Sequence, residues 1–199
     1  MARWTEAQII SRISTALNDP ATAIWGTATV AAQMELDIRQ MSDYIPQMAR
    51  ATVAFAGTLP ELSLTSISDW IDIDEVEFPI DQHPKRYVNF SVRGSSVILD
   101  SYETPVSTAD TAYIWYSAPH TVSGTATNTF KANEEALLVE LTAAHLMQNL
   151  STDKIEEIGF TPTEWQAYLT LGDRREAKAM ARLKSLVKSN MFVRYPDVK

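Results

Sequence analysis

The apolar residues of this chain change their spacing twice, from a helical repeat to a strand-like alternation and back again. Near the beginning, Ile9, Ile10, Ile13, Ala16 and Leu17 fall on one helical face, and Val30, Met34, Ile38, Met41, Ile45 and Met48 recur every three or four residues. Residues 51–129 are instead rich in Val, Ile, Thr, Tyr and Phe, broken by Gly, Pro, Ser and Asp, which is the composition of short strands joined by turns. Helical spacing returns with Leu137, Leu138, Leu141, Ala144, Leu146 and Met147. A chain patterned this way is expected to fold as α+β, with helices at both ends and strands between them.

Local signals place the boundaries. Thr5 and Gln8 make a capping box, in which the hydroxyl accepts an orphan amide and the glutamine reaches back; Trp4 and Ile9 are spaced as a hydrophobic staple. Asn18-Asp19-Pro20 ends that helix. A second helix is predicted over Thr27–Ile45, ended or kinked by Pro46, which has no amide to donate. Asn133 is placed to cap a third helix that holds Glu134 and Glu135 in its first turn. That helix is apolar on more than one face, so deep burial is expected, and Leu150-Ser151 ends it. A second capping box, Thr163 with Gln166, opens the last helix; Gly172-Asp173 is its candidate break, and a short tail follows Asn190.

Strands are predicted near 51–55, 61–65, 71–78, 86–92, 95–100 and 111–117, with a helical turn at 66–70. The turn signals are Gly57, Asp81–Pro84, Arg93-Gly94-Ser95 and Ser107–Asp110. Parallel pairing needs crossover helices, and none separates these strands, so a small antiparallel sandwich or barrel is expected. The terminal helices are too short to bury themselves separately. The expected organisation is therefore one discontinuous helical bundle, formed by residues 1–50 and 132–199, with a β-rich insert domain at 51–131.

Charge is split along the chain. The net charge of −8 comprises a balance of −13 over residues 1–172 and +5 over residues 173–199. An acidic body repels nucleic acid, and a basic end is drawn to acidic protein or phosphate surfaces. The absence of cysteine excludes disulfides, a thiolate nucleophile and cysteine-type zinc sites. No apolar run approaches the roughly 20 residues that span a bilayer. Met1–Glu6 lacks the basic-then-apolar pattern of a signal peptide, so synthesis in the cytoplasm is expected, without a membrane partner.

Chemistry-bearing patterns are sparse. Of the three histidines, His145 sits among apolar helical residues as a satisfied packing residue would, His120 follows Pro119 at a strand end, and His83 lies in a proline-flanked loop. A hydrolase would have to pair His120 with a carboxylate brought near by folding, and no nucleophile-elbow pattern accompanies it. The acidic run Asp69, Asp72, Asp74, Glu75 and Glu77 alternates with Ile71 and Ile73, as the wet face of a half-buried strand does. It lacks the glycine and closing glutamate of a calcium loop. Glycines are scattered singly, so no phosphate-binding loop is present. The expectation is a non-enzymatic protein with no cofactor and no metal.

The succession Leu62-Ser63-Leu64, then Asp69-Trp70-Ile71-Asp72-Ile73-Asp74-Glu75-Val76-Glu77-Phe78-Pro79, then Pro84-Lys85-Arg86-Tyr87-Val88-Asn89-Phe90 resembles a group of tailed-bacteriophage virion proteins. Ala112-Tyr113-Ile114-Trp115-Tyr116 with His120-Thr121, leading through a Ser/Thr-rich connection into an Ala/Leu helix, continues the likeness over roughly residues 1–190. These proteins are head-to-tail connector or adaptor subunits. The resemblance implies a structural virion protein at the head–tail junction. It would be a homo-oligomeric ring, usually of twelve copies, docked beneath the portal and followed by a downstream neck or tail protein. DNA would pass through its lumen without sequence-specific contact, and an acidic lumen offers phosphates few cationic partners. The large β insert departs from the all-helical adaptors, so portal adaptor, lower neck ring and tail-completion ring all remain open.

On that reading the portal-docking residues are Arg182, Lys184, Lys188, Met191, Phe192, Arg194 and Tyr195, the charges steering and the aromatics anchoring. The alternative is a tail- or baseplate-associated binding module whose β insert recognises a glycan or peptide. That alternative expects solvent-facing aromatics among Tyr87, Phe90, Tyr102, Tyr113 and Trp115.

Overall fold

In the computed structural model the described residues are 3–19, 21, 23–55, 60–100, 110–124, 128–150, 155 and 159–194, with the backbone alone for 188–194. They form an α+β fold of four helices and two small antiparallel sheets. The helices are α1 (Glu6–Ala16), α2 (Thr27–Tyr44), α3 (Ala132–Gln148) and α4 (Pro162–Arg194). The strands are β1 (Gln47–Ala54), β2 (Glu61–Ser63), β3 (Asp72–Glu77), β4 (Phe90–Arg93), β5 (Ser96–Leu99) and β6 (Thr111–Ala118). The expected turns at Gly57 and at Ser107 lie outside the described residues. No helix among those described is long and apolar enough to cross a membrane.

The chain divides into two compact units, a helical one from residues 1–45 with 120–199 and a β unit from residues 46–119. The sequence placed these boundaries at 50/51 and 131/132. They fall earlier because β1 starts directly after Pro46, and because the segment after Pro119 is bonded to α2.

In the helical unit α3 packs against α1, α2 and α4, which explains why so little of its surface is polar. Ile9 and Ile13 of α1, Val30, Met34 and Met41 of α2, Leu138 and Leu141 of α3 and Leu183 of α4 share one buried core with Phe130. The α1 capping box is present: the Thr5 amide donates to Gln8 Oε1 at 2.9 Å and the Gln8 amide to Thr5 Oγ1 at 3.4 Å. The chain between α1 and α2 is wound around one carboxylate. Asp19 accepts the amides of Ala23, Ile24 and Trp25 at 2.9–3.1 Å, which satisfies backbone donors that the turn would otherwise bury.

Two expected caps are corrected. Asn133 lies inside α3, whose cap position is Lys131; Glu134 reaches back to accept the Lys131 amide at 2.7 Å. The last helix is capped by Thr161 rather than Thr163. The Thr161 amide donates to Glu164 Oε2 at 2.8 Å, and the Glu164 amide donates to Thr161 Oγ1 at 3.3 Å. Pro162 then occupies the first helical position, where a missing amide costs nothing. Gly172 does not break α4, and the expected tail after Asn190 is helical through Arg194.

In the β unit, β6 is the centre of the first sheet, ordered β1-β6-β3. It pairs with β1 from Gln47↔Ala118 to Ala54↔Thr111, and with β3 across an irregularity between Ile73 and Glu75. At that bulge the Ser117 hydroxyl donates to Asp74 at 2.9 Å. The second sheet is ordered β2-β5-β4, and Gly94, at φ +59°, makes the tight β4–β5 turn possible. The predicted 86–92 strand is shared between the sheets. Arg86 and Val88 bond to Phe78 and Val76 beside β3, and the chain then enters β4 at Phe90. Val53, Leu62, Ile73, Val76, Val97, Leu99, Ala112 and Ile114 give both sheets one common core. The helical turn expected at 66–70 is a short 3₁₀ turn at Leu64–Ser66.

Candidate functional site

The residues expected to dock a partner lie on α4. This helix turns Gly172, Ala179 and Leu183 inward, and Trp165, Tyr168, Met180, Leu186 and Val187 pack partly against the same core. The inward face explains what is left outside. Arg174, Lys178 and Arg182 are exposed at intervals of four, which draws them into one basic stripe. Lys184 is also exposed, but two residues on from Arg182 it points to another side of the helix. Arg175 is spent internally, donating to the Ala16 carbonyl at 3.0 Å, one of the orphan acceptors at the end of α1. Lys188, Met191, Phe192 and Arg194 continue the α4 backbone, while their side chains and all of Tyr195 lie outside the described residues.

The two described helix-unit histidines play opposite parts. His120 is a structural tie. Its Nε2 bonds the Ile45 carbonyl at 2.7 Å, its Nδ1 the Thr129 hydroxyl at 2.9 Å, and its ring stacks on Phe130 with centroids 4.0 Å apart. Its amide donates to Ser42 Oγ at 2.9 Å. Burial pushes its pKa down, outweighing the Ile45 hydrogen bond and Glu134, so the ring is held neutral. With both nitrogens occupied by structural partners, it is not presented as a catalytic base.

His145, expected to be a satisfied packing residue, finds its partners on two other helices. It bridges three helices. Its Nδ1 lies 2.6 Å from Asp37 Oδ1 of α2, and its Nε2 lies 3.7 Å from Glu176 Oε1 of α4. Asp37 is only 1% exposed; Gln33 also donates to its Oδ1 at 3.1 Å, and its Oδ2 has no hydrogen-bond partner. Gln148 donates to Glu176 Oε2 at 2.8 Å and to Asp173 at 2.9 Å, fixing the far side of the cluster. The Asp37 hydrogen bond raises the His145 pKa against the opposing effect of burial, and the Asp37 and Glu176 charges add to the rise. Sequence reasoning missed this cluster. Its one signal was an aspartate at an inward position of α2, three residues after Met34.

On the β unit, Tyr113 and Trp115 lie on the face of β6 opposite Ala112 and Ile114. They are roofed by cations rather than open. The Arg50 guanidinium sits 4.3 Å from the Tyr113 ring centre and 5.4 Å from that of Trp115, and the Lys85 ammonium lies 5.3 Å from Trp115. Lys85 also approaches the buried Glu77 at 3.4 Å. Tyr87 is exposed, Phe90 packs on the core, and Tyr102 lies outside the described residues. In the acidic run, Asp72 accepts the Ile73 amide and Asp74 the Ser117 hydroxyl, each at 2.9 Å.

These surfaces define an α+β protein whose exposed chemistry is a basic helix face and a cation-roofed aromatic sheet face. No model of a known protein family matches the chain, and none of the curated proteins compared with it is detectably similar in sequence.

Proposed function

We propose that this chain is a structural virion protein of a tailed phage, forming a homo-oligomeric ring at the head–tail junction between the portal and a downstream neck or tail protein. The observation that carries the reading is α4, a 33-residue helix that, over residues 165–187, packs one face on the core and presents Arg174, Lys178, Arg182 and Lys184 on the rest. A helix fixed along one side and charged along the other offers a neighbour a rigid surface at little entropic cost. Charges of this kind set the rate and register of docking more than its strength. The likeness of residues 62–90 and 112–121 to connector subunits favours the same assignment.

The test is the mass of the purified protein alone and mixed with portal, measured in solution. A ring is expected, together with a portal complex that is lost on deleting residues 189–199 while helicity is kept. A protein that stays monomeric and ignores the portal overturns the reading. In favour of the alternative, a glycan- or peptide-binding β unit, stands the exposed Tyr87 ring on that unit. Tyr87→Ala would then abolish ligand binding and leave assembly intact.

A further inference from the structure

The cluster around His145 joins α2, α3 and α4 through a single ionisable ring, and its two nitrogens are not equivalent. Nδ1 makes a short contact with a buried carboxylate, whereas Nε2 faces a longer, partly solvated one: the side chains of Asp37 and Glu176 are 2% and 37% exposed. We propose that the proton on His145 is a latch for α4: its presence holds α4 against α2 and α3, and its loss loosens α4 while the other helices stay packed.

The asymmetry follows from imidazole chemistry. A neutral ring keeps one N–H. The 2.6 Å bond to Asp37 retains that hydrogen on Nδ1, so the α2–α3 connection survives deprotonation. Nε2 is then a lone pair aimed at the Glu176 carboxylate, and an attraction is replaced by a repulsion. Glu176 is not free to swing away, because its other oxygen is held by Gln148, which also holds Asp173.

The charges around the ring make the proton matter more. Asp37 faces it from α2, and Glu176, with Asp173 beside Gln148, from α4. On α1, which also packs on α3, Arg12 lies 3.8 Å over Trp4 and Glu6 borders a groove with Ser11 and Ser14. Among the described residues no lysine or arginine pairs with Asp37, Asp173 or Glu176. The imidazolium is thus the cation of a cluster with three carboxylates.

The sign follows from the raised pKa of His145. The stabilisation is fully present below the ordinary histidine value of 6.5 and is lost as pH rises through the higher folded value. Because Glu176 is partly exposed, solvent screens the effect, and a change of about threefold in local opening is expected.

Amide hydrogen exchange of the full chain, corrected for the intrinsic pH dependence of exchange, tests the latch. From about pH 6 to about pH 9, protection over residues 179–187 should fall about threefold relative to residues 137–144, the scale of a partly exposed ion pair. Glu176→Gln should remove that response. The midpoint should match the titration of the His145 ring followed by NMR in the unmodified protein, which keeps the test open if the variant does not fold. Parallel loss of protection in α3 and α4, no pH response at all, or a midpoint that follows a different histidine overturns the proposal.

Discussion

Gly172 of α4 lies so close to Met147 of α3 that a methyl group added to it would sit 3.1 Å from the Met147 Cβ and 3.2 Å from the Ala144 carbonyl oxygen. The second neighbour is backbone and yields little. Alanine would gain about 1 kcal/mol of helix propensity over glycine, but crowding a packed contact costs about 1–3 kcal/mol. Gly172→Ala is therefore expected to lower the thermal midpoint slightly and Gly172→Leu to lower it strongly, read by circular dichroism. An alanine variant more stable than the parent would show that α3 and α4 yield the few tenths of an ångström the methyl needs.

His120 predicts a pH dependence opposite in sign to that of His145. Burial lowers its pKa, so its contribution is complete above the unfolded value and declines as pH falls through that value toward the folded one. Urea midpoints at about pH 7.5 and about pH 5 should therefore differ more in the parent than in His120→Gln. The substitution itself should cost about 1–3 kcal/mol, because it leaves the Ile45 carbonyl or the Thr129 hydroxyl without a well-placed partner.

The two overlapping capping-box patterns at the start of α4, of which only Thr161–Glu164 forms, can be separated by mutation. Thr161→Ala should cost about 1 kcal/mol, the usual value of an N-cap hydroxyl, and speed exchange in the first turn. Thr163→Ala, two residues inside the helix, should be close to neutral in the same unfolding measurement.

Glu77 supplies a test within the β unit. It is buried to 1% exposure, with Lys85 as the nearby cation at 3.4 Å. Lys85→Ala should destabilise the unit by about 1 kcal/mol, less than for a fully buried pair because the lysine is half-exposed. Adding Glu77→Gln should recover part of the loss, since the residue left behind is no longer charged. A double-mutant cycle measured by urea unfolding gives the coupling directly.

What was legible beforehand follows from how local each signal is. The α1 capping box and the bounds of α2 depend on residues within one or two turns of each other, and both were predicted to within a residue. The strands were legible because alternation and turn residues coincide, although β4 starts at Phe90, four residues after the predicted 86. β1 was predicted to begin four residues late, since Met48 continued the helical stripe of Met34 and Met41 past Pro46 and masked the alternation of Gln47, Ala49 and Ala51. The α4 cap was misplaced because Thr161–Glu164 and Thr163–Gln166 satisfy the same pattern; Pro162 breaks the tie. The His145 cluster was not legible, because Asp37, His145 and Glu176 meet only when three helices pack, and a lone histidine among leucines carries no mark of its partners.

The bonds from His120 to Ile45 and Ser42 have one more consequence. They button the outgoing chain to the returning chain at the point where the polypeptide leaves the helices and comes back. Seventy-four residues are thereby fastened at their root. Closing a loop costs entropy that grows only slowly with its length, and here the ends are already held by the helices themselves. The helical core is closed without a residue of that segment, so replacing residues 46–119 by a short linker is expected to leave its helicity unchanged by circular dichroism.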